Sequence, residues 1–164
     1  MKKILIIDPE KCTGCGLCVL MCSFKHEGKF NYMFSRIQIR SNEIINVHIP
    51  LVCEHCGEHP CVDVCPAGAI YYDERLTIFK IDEKKCIGCG KCVETCPYNG
   101  IFINKEGKAI KCDLCEGDPV CVKACIFPKA IQYVDTTPDN VFTKHEAMLA
   151  KLRYLGGEYH VSVR

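Results

Sequence analysis

Several common sequence features are missing from this 164-residue chain, and each absence narrows what it can do. No apolar run approaches the ~18 residues that suggest a membrane-spanning helix, so no membrane span is expected. The apolar run Ile4–Ile7 is shorter than the ~7–15 residues of a signal-peptide core, which predicts a cytoplasmic protein in a reducing compartment. The sequence also has no G-x-G-x-x-G motif and no P-loop, so neither nucleotide-binding motif supports an enzyme assignment.

The chain also lacks an excess of either basic or acidic residues. The chain has 21 Lys and Arg against 20 Asp and Glu, for a formal net charge of +1. Binding to nucleic acid usually requires a basic surface, so no nucleic-acid partner is expected. What the chain has in abundance is cysteine, with 16 residues, a density typical of a disulfide scaffold or a metal-binding scaffold.

The cysteines fall into four runs of four. The third run, Cys86–Pro97, reads C-x2-C-x2-C-x3-C-P, in which three cysteines hold one [4Fe–4S] cluster and the fourth holds another. The first run has the same spacing, and both runs place glycines between their cysteines, where left-handed backbone can direct N–H groups at sulfur. The second and fourth runs have widened middle gaps and resemble each other, so the chain reads as a duplicated pair. The runs are Cys12, Cys15, Cys18, Cys22; Cys53, Cys56, Cys61, Cys65; Cys86, Cys89, Cys92, Cys96; and Cys112, Cys115, Cys121, Cys125.

Three kinds of site compete for these cysteines. A disulfide scaffold needs an oxidising compartment, and closely spaced triplets place their sulfurs poorly for distant cross-links. Structural zinc prefers two pairs of ligands separated by a spacer, which the second and fourth runs offer more readily than the first and third. Four [4Fe–4S] clusters use all 16 cysteines and are the favoured interpretation. Each oxidised cluster with its four thiolates contributes about −2, so the formal charge would change from +1 to about −7.

Short β-rich segments separated by turns lie between the runs. They predict small antiparallel hairpins, two further strands, and a short helix at the end of each run. The segments 36–40 with 44–49, 69–72 with 77–81, and 101–103 with 109–111 are the expected hairpins, and 4–8 and 130–134 are the further strands.

The longest stretch without cysteine and the C-terminal region give less regular signals. Residues 23–34 are expected to form an ordered loop. The T-x-x-E capping box at Thr143 predicts a helix that starts there and ends near residue 155. Its apolar face is expected to consist of Met148, Leu149, Leu152 and Leu155. The tail from 158 to 164 alternates in polarity and could add a strand to a sheet.

The order of the runs, with the second and fourth widened, resembles the four-cluster polyferredoxin electron-transfer subunits of redox enzymes over residues 4–135. Within it, Cys22–Gly28 and Ser35–Ile37 are similar to small subunits that accompany tungsten aldehyde oxidoreductases. The resemblance implies an α+β fold of two fused ferredoxin-like halves. One half would hold an inner cluster pair within about 50–104, and the other an outer pair within 1–49 and 105–135, followed by a helix and tail over 143–164.

The resemblance also implies crossed ligation, in which the first run pairs with the fourth and the second with the third. The two histidines that flank the second run, His55 and His59, are expected outside the ligand sets because the cysteines already suffice. The implied sets are Cys12, Cys15, Cys18 with Cys125; Cys112, Cys115, Cys121 with Cys22; Cys53, Cys56, Cys61 with Cys96; and Cys86, Cys89, Cys92 with Cys65.

The function implied by the resemblance is non-catalytic electron transfer. The chain is expected to relay single electrons between a larger catalytic subunit, for which a tungsten-pterin aldehyde oxidoreductase is the first choice, and a soluble carrier such as ferredoxin. The alternatives are a subunit of a hydrogenase, a formate dehydrogenase or a carbon monoxide dehydrogenase, or a free polyferredoxin shuttle. Residues 23–49 and residues 143–164 are the two candidate docking surfaces, and for the hairpin region of the first a role as a cap over the cluster core is an equal alternative.

Overall fold

Short antiparallel strand pairs and short helices make up a computed structural model that describes residues 2–42, 44 and 46–155. The α+β class expected from the sequence is confirmed. The strands are β1 (Lys3–Ile7), β2 (Ile37–Asn42), β3 (Val47–Val52), β4 (Ile70–Asp73), β5 (Ile78–Ile81), β6 (Ile101–Ile103), β7 (Ala109–Lys111) and β8 (Ile131–Asp135). The helices are α1 (Leu17–Glu27), α2 (Pro60–Asp63), α3 (Lys91–Thr95), α4 (Val120–Ala124) and α5 (Pro138–Leu155), with 3-10 turns at Pro9–Lys11, Tyr32–Phe34 and Leu114–Gly117.

The strands form four separate antiparallel pairs. Three are the predicted hairpins, β2 with β3, β4 with β5, and β6 with β7. The fourth joins the two ends of the described fold, because β1 pairs with β8 and places Ile7 opposite Ile131. An isolated two-stranded ribbon is only marginally stable in water. The pairs must therefore be stabilised by what packs between them.

Helix α1 corrects the prediction of a loop after the first run. It continues five residues past Cys22, to Glu27, and ends at Gly28 in a left-handed conformation. Ser23 stands where the second and third runs have proline, so no pyrrolidine ring interrupts the helix. Its hydroxyl donates to the Leu20 carbonyl at 2.8 Å and accepts from the Asn31 amide at 3.1 Å, which folds the next segment back onto the helix.

Helix α5 begins five residues before the predicted capping box. Thr137 is its cap, because the Thr137 hydroxyl accepts from the Asn140 amide at 3.2 Å and Pro138 occupies the first turn. Thr143 is instead inside the helix, where its hydroxyl donates to the Asp139 carbonyl at 2.9 Å. The predicted end near residue 155 is confirmed, whereas the tail from 158 to 164 lies outside the described residues.

The inward face of α5 also differs from the predicted one. Met148, Leu149 and Leu152 are half-buried, whereas the most buried side chain described on the helix is Lys151, which is 3% exposed. Lys144, two turns earlier on the same face, is also largely covered. The helix packs against β1 and turns a polar stripe inward.

The hydrophobic core consists of two main clusters of side chains, and cysteines belong to both. The first contains Val19, Ile37, Val52 and Leu114 together with Cys18, Cys22, Cys53, Cys112 and Cys121. The second contains Ala69, Ile70, Ile101 and Ala109 together with Cys61, Cys86 and Cys92. Among the described residues, no helix has the length and hydropathy needed to cross a membrane.

Candidate metal centres

Backbone conformation distinguishes the two kinds of cysteine run. The predicted left-handed glycines are confirmed in the first and third runs, with φ of 71° at Gly14 and 76° at Gly90. In the widened runs the residue before the second cysteine is not glycine, and yet it takes positive φ, with φ of 48° at His55 and 57° at Leu114. Such conformations cost energy and persist where the surroundings enforce them. The widened loops are therefore held by their packing.

All 16 cysteines lie in the described residues and are free thiols. The structure brings them together in four groups, each of which combines three cysteines of one run with the last cysteine of another. We call these groups site A (Cys12, Cys15, Cys18, Cys125), site B (Cys22, Cys112, Cys115, Cys121), site C (Cys53, Cys56, Cys61, Cys96) and site D (Cys65, Cys86, Cys89, Cys92).

Sites A and D are apolar pockets near the surface. The four cysteines of site A line one pocket with Ile39, Pro50 and Ile131, and no charged side chain lines it. The four cysteines of site D line a second pocket with Ile70 and Ile81, again without a charged side chain. One cysteine of each site, Cys15 in site A and Cys89 in site D, is exposed.

Sites B and C lie deeper, and their thiols influence one another electrostatically. Burial raises the pKa of Cys121, and the neighbouring Cys22 and Cys115 raise it further. Burial likewise raises the pKa of Cys61 to about 11, with additional contributions from the other three cysteines of site C. Cys53 of site C also raises the pKa of Cys112 of site B, after the larger effect of burial. The two sites are therefore neighbours.

Helices and strand ends position these groups in pairs. Cys18 and Cys22 lie one turn apart on α1 and belong to sites A and B, and Cys121 on α4 and Cys125 at its end link the same two sites. Helix α1 packs against α4, and α2 packs against α3 at sites C and D. Each short helix thus presents cysteines to two adjacent sites.

In the described part of the chain, backbone amides donate hydrogen bonds to cysteine sulfur, which stabilises the thiolate form of each acceptor. The pattern repeats between the halves of the chain. The amide that donates to Cys53 or to Cys112 lies two residues after that cysteine, and the amide that donates to Cys65 or to Cys96 lies four residues after it. The bonds are Arg36 N to Cys22, His55 N to Cys53, Ala69 N to Cys65, Gly100 N to Cys96, Ala109 N to Cys86 and Leu114 N to Cys112, at 3.3–3.4 Å from N to Sγ.

This chemistry fits iron–sulfur clusters. Each site has four sulfur donors, apolar walls and amide donors directed at sulfur, which are the features that hold and tune a [4Fe–4S] group. Burial, together with the neighbouring Cys12 and Cys15, raises the pKa of Cys18 to about 12, so without a cationic partner the thiol stays protonated at neutral pH. A metal centre that replaces the protons would compensate the buried sulfur charges.

Among the described residues, charged side chains lie beside both of the deeper sites. At site B, Arg36 Nη1 lies 2.6 Å from Asp113 Oδ2 and its Nη2 lies 3.3 Å from Glu83 Oε1. At site C, Lys111 at the end of β7 is 4% exposed and hydrogen-bonds the sulfur of Cys53. Burial opposes the charge on Lys111, but Cys53 and Cys61 more than offset it, and the pKa of Lys111 is raised.

A buried ion pair joins α5 to site C. Lys151 contacts the carboxylate of Glu54, the residue after Cys53, and both are less than 5% exposed. Lys144 Nζ donates to the Glu54 backbone carbonyl at 2.6 Å. Burial lowers the pKa of Lys144, against the opposing pull of Glu54. The sequence pattern did not indicate any of these lysines, because their burial depends on contacts across about 90 residues of chain.

The two histidines of the second run lie beside site C. The ring of His55 places Nδ1 3.8 Å from Cys53 Sγ, and its buried Nε2 has no hydrogen-bond partner among the described residues. His59 packs its ring against Phe79 with centroids 4.3 Å apart. Burial lowers the pKa of both. His26 occupies a similar place at site B, with Nε2 3.8 Å from Cys115 Sγ and 3.5 Å from Asp113.

Gly100 provides a direct test of how tightly site C is packed. It is buried, and a Cβ atom added there would lie 2.5 Å from the backbone N and Cα of Cys53. Because a backbone contact this short cannot relax cheaply, we expect Gly100→Ala to lower the free energy of unfolding by about 1–3 kcal/mol and to reduce the iron bound at site C. Anaerobic urea unfolding and iron analysis measure both effects.

Gly57→Ala is the matched control for that substitution. Gly57 follows Cys56 of the same site, but an added Cβ there meets no atom within 4 Å. We expect it to retain full iron content and wild-type stability. Equal stability and iron content in Gly100→Ala and Gly57→Ala would contradict the packing described for site C.

Comparison with known families finds two matches. Residues 45–136 match the 4Fe-4S dicluster domain, and residues 5–24 match the 4Fe-4S binding domain. The first match covers more than half of the chain and includes sites C and D together with the fourth run. The second covers the whole first run.

Several curated proteins are similar in sequence. The polyferredoxin-like subunit of an aliphatic sulfonate oxidoreductase from Pyrococcus furiosus is 39% identical over 122 residues, which is 74% of this chain and 70% of the relative. The electron transfer subunit of a thiosulfate reductase from Salmonella typhi is 34% identical, over 74% of this chain and 70% of the relative. An uncharacterized ferredoxin from Methanocaldococcus jannaschii is 38% identical, over 91% of this chain and 81% of the relative.

Among solved structures, a chain of the BamBC active-site complex of benzoyl coenzyme A reductase overlaps with 98% of this chain. The TM-score is 0.49 and the sequence identity is 24%, and the match covers 94% of the solved chain. Superposition at this level is too loose to carry an argument.

Proposed function

This chain belongs to the 4Fe-4S dicluster family of polyferredoxin electron-transfer subunits, and from that premise we propose that it holds four [4Fe–4S] clusters and relays single electrons between a catalytic partner and a soluble carrier. The observation that supports the proposal is that cysteines of different runs lie together, in one pocket each at sites A and D and within electrostatic reach of one another at sites B and C. When bound, such clusters accept and release one electron each with little change in geometry.

The proposed ligand sets are sites A, B, C and D as defined above, with His55 and His59 outside them. The supporting contacts follow one order along the molecule. Sites A and B share α1 and α4, sites B and C are neighbours through Cys112 and Cys53, and sites C and D share α2 and α3. The proposed relay therefore runs from A through B and C to D. We further propose that sites C and D form the inner half of the chain and sites A and B the outer half.

The protein's own residues supply what such a relay needs. Apolar walls exclude water from sites A and D, and the amide donors stabilise the bound sulfurs. Exposed Cys15 and Cys89 bring the two ends of the relay close to solvent, which suits exchange with other proteins. The four proposed ligand sets use all 16 cysteines, so no thiol remains for a nucleophilic reaction under this proposal.

The proposed partner is a larger catalytic oxidoreductase subunit, with tungsten-pterin aldehyde chemistry as the finer proposal. Its support is the similarity of Cys22–Gly28 and Ser35–Ile37 to small subunits of that class. The named relatives belong to oxidoreductases of different substrates, including an aliphatic sulfonate and thiosulfate, so we infer that the substrate is set by the partner. Ferredoxin is the proposed soluble carrier.

Anaerobic purification from the source organism tests this function. We expect iron and acid-labile sulfide equivalent to four [4Fe–4S] clusters per chain, no zinc, and co-elution in high salt with a larger chain that contains tungsten. If the chain elutes without a partner, near 18.5 kDa, it is a free electron shuttle and not a subunit of a larger complex. Zinc in place of iron and sulfide would overturn the electron-transfer function itself, and aldehyde turnover by the isolated chain would overturn its non-catalytic role.

A further inference from the structure

The two deep sites occupy equivalent places in the duplicated chain but differ in buried charge. In each half, a strand ends directly before the first cysteine of a widened run, at Val52 before Cys53 and at Lys111 before Cys112. Val52 is an apolar member of the core that surrounds site B. Lys111 is equally buried, but its ammonium group hydrogen-bonds Cys53 of site C. At equivalent positions, one half of the chain therefore has the apolar side chain of Val52 and the other has the ammonium group of Lys111.

The balance of charge around each site makes the difference larger. At site B, the guanidinium of Arg36 is neutralised by Asp113 and Glu83, and nearby Lys25 is exposed to solvent. At site C, Lys111 forms no ion pair with a carboxylate among the described residues.

The helix α5 adds further positive charge at site C. Glu54 there is matched by Lys151 and approached by Lys144, whose Nζ lies 3.9 Å from Glu54 Oε2. The environment of site C is therefore more positive than that of site B, and the charge of Lys111 lies where water screens little.

We propose that Lys111 gives site C a higher reduction potential than site B, so that electrons in the middle of the relay settle at site C. The inference rests on the proposed function. One-electron reduction makes the bound group at each site more negative by one charge, and no bond forms or breaks. A buried ammonium beside a ligand sulfur stabilises that added charge, as nearby charge and hydrogen bonds tune iron–sulfur potentials generally.

This placement makes one step of the relay directional. Among the described residues, no charged side chain lines the pockets of sites A and D, whereas sites B and C form a neighbouring pair with unequal charge. Transfer from B to C is favourable and the reverse transfer is opposed. The same higher potential opposes onward transfer from C to D, so electrons that enter at either end collect at site C until a partner withdraws them.

The test is a redox titration of the four-cluster protein, followed by electron paramagnetic resonance. Lys111→Met removes the charge and keeps the length of the side chain. We expect one of the four midpoint potentials to fall. At a fixed applied potential, the ratio of reduced to oxidised site C should decrease at least tenfold, and for a one-electron step a tenfold change corresponds to a shift in midpoint potential of about 59 mV. The other three potentials stay near their wild-type values.

Three further variants assign and control the effect. Lys111→Arg keeps the charge and should keep the wild-type potential of that step. Cys56→Ser changes a ligand of site C alone and identifies which step belongs to it. Lys123→Met removes an equal charge from α4 beside sites A and B, but its side chain is 63% exposed, so we expect no measurable shift.

The outcomes separate this inference from the proposed function. Four clusters with unchanged potentials in Lys111→Met, or a shift in a step other than that of Cys56→Ser, would overturn the role of Lys111 and leave the relay intact. Fewer than four clusters in the wild-type protein would overturn the proposed function. If Lys111→Met loses a cluster, Lys111→Gln replaces it, and a fall in the potential of site C is again the expected result while no change contradicts the inference.

Discussion

Removal of iron under anaerobic conditions should unfold the protein. Cysteines are members of both main core clusters, and the strands around them form only two-stranded pairs. Apart from α1 and α5, the helices have four or five residues, too few to be stable alone. With metal bound, the four sites tie together most of the chain from Cys12 to Cys125, so the binding free energy becomes folding free energy.

The expected magnitude exceeds the stability of an ordinary domain. Structural metal sites contribute about 10–16 kcal/mol each in small zinc peptides, whereas whole domains are stable by about 5–15 kcal/mol. Far-UV circular dichroism and urea titration before and after chelation measure the loss, and reconstitution with iron and sulfide should restore the signal. An apoprotein that keeps native circular dichroism and unfolds cooperatively would contradict this dependence.

Breaking the buried ion pair between Glu54 and Lys151 should cause a larger loss of stability than Gly100→Ala. Both side chains are almost fully buried, and removal of one partner leaves the other charge in a poorly solvated place. We expect Lys151→Met to lower the free energy of unfolding by about 3–5 kcal/mol. Anaerobic urea unfolding of the protein with its clusters in place measures the change.

The double variant Glu54→Gln with Lys151→Met separates the pair from the packing around it. It removes both charges, so most of the lost stability should return. Lys123→Met is the surface control, because its partner Asp118 is exposed and such pairs contribute about 0–1 kcal/mol. A loss in Lys151→Met no greater than in Lys123→Met would show that the buried pair does not anchor α5.

Local sequence patterns predicted much of the fold. Alternating β-branched residues and short turns identified all three hairpins, and the 101–103 and 109–111 segments match β6 and β7 in full. The repeated spacing of the cysteines, with Gly14 and Gly90 between them, indicated the left-handed turns. These features depend on neighbours within a few residues, which is the range over which sequence patterns are informative.

Features set by distant contacts could not be predicted in the same way. Residues Ala109, Ile110 and Lys111 are all buried, so strand alternation does not reveal that Lys111 points toward a sulfur. Lys151 interacts with Glu54 across 97 residues, and a lysine on a helix normally indicates a solvated face. Ser23 was predicted in part. The sequence shows that proline is absent after Cys22, but it does not show that α1 continues through Ser23.

The pairing of β1 with β8 has a consequence for how the chain is made. Under the proposed ligation, sites C and D hold every ligand they need once Cys96 has left the ribosome. Site A is complete only after Cys125 has been synthesised, and site B only after Cys121. Likewise, β1 cannot pair until β8 has been synthesised. The nascent chain can therefore load its inner pair first, while its earliest cysteines remain open until synthesis is nearly complete, at ~5–20 residues per second. The cysteines made first are the last to be enclosed.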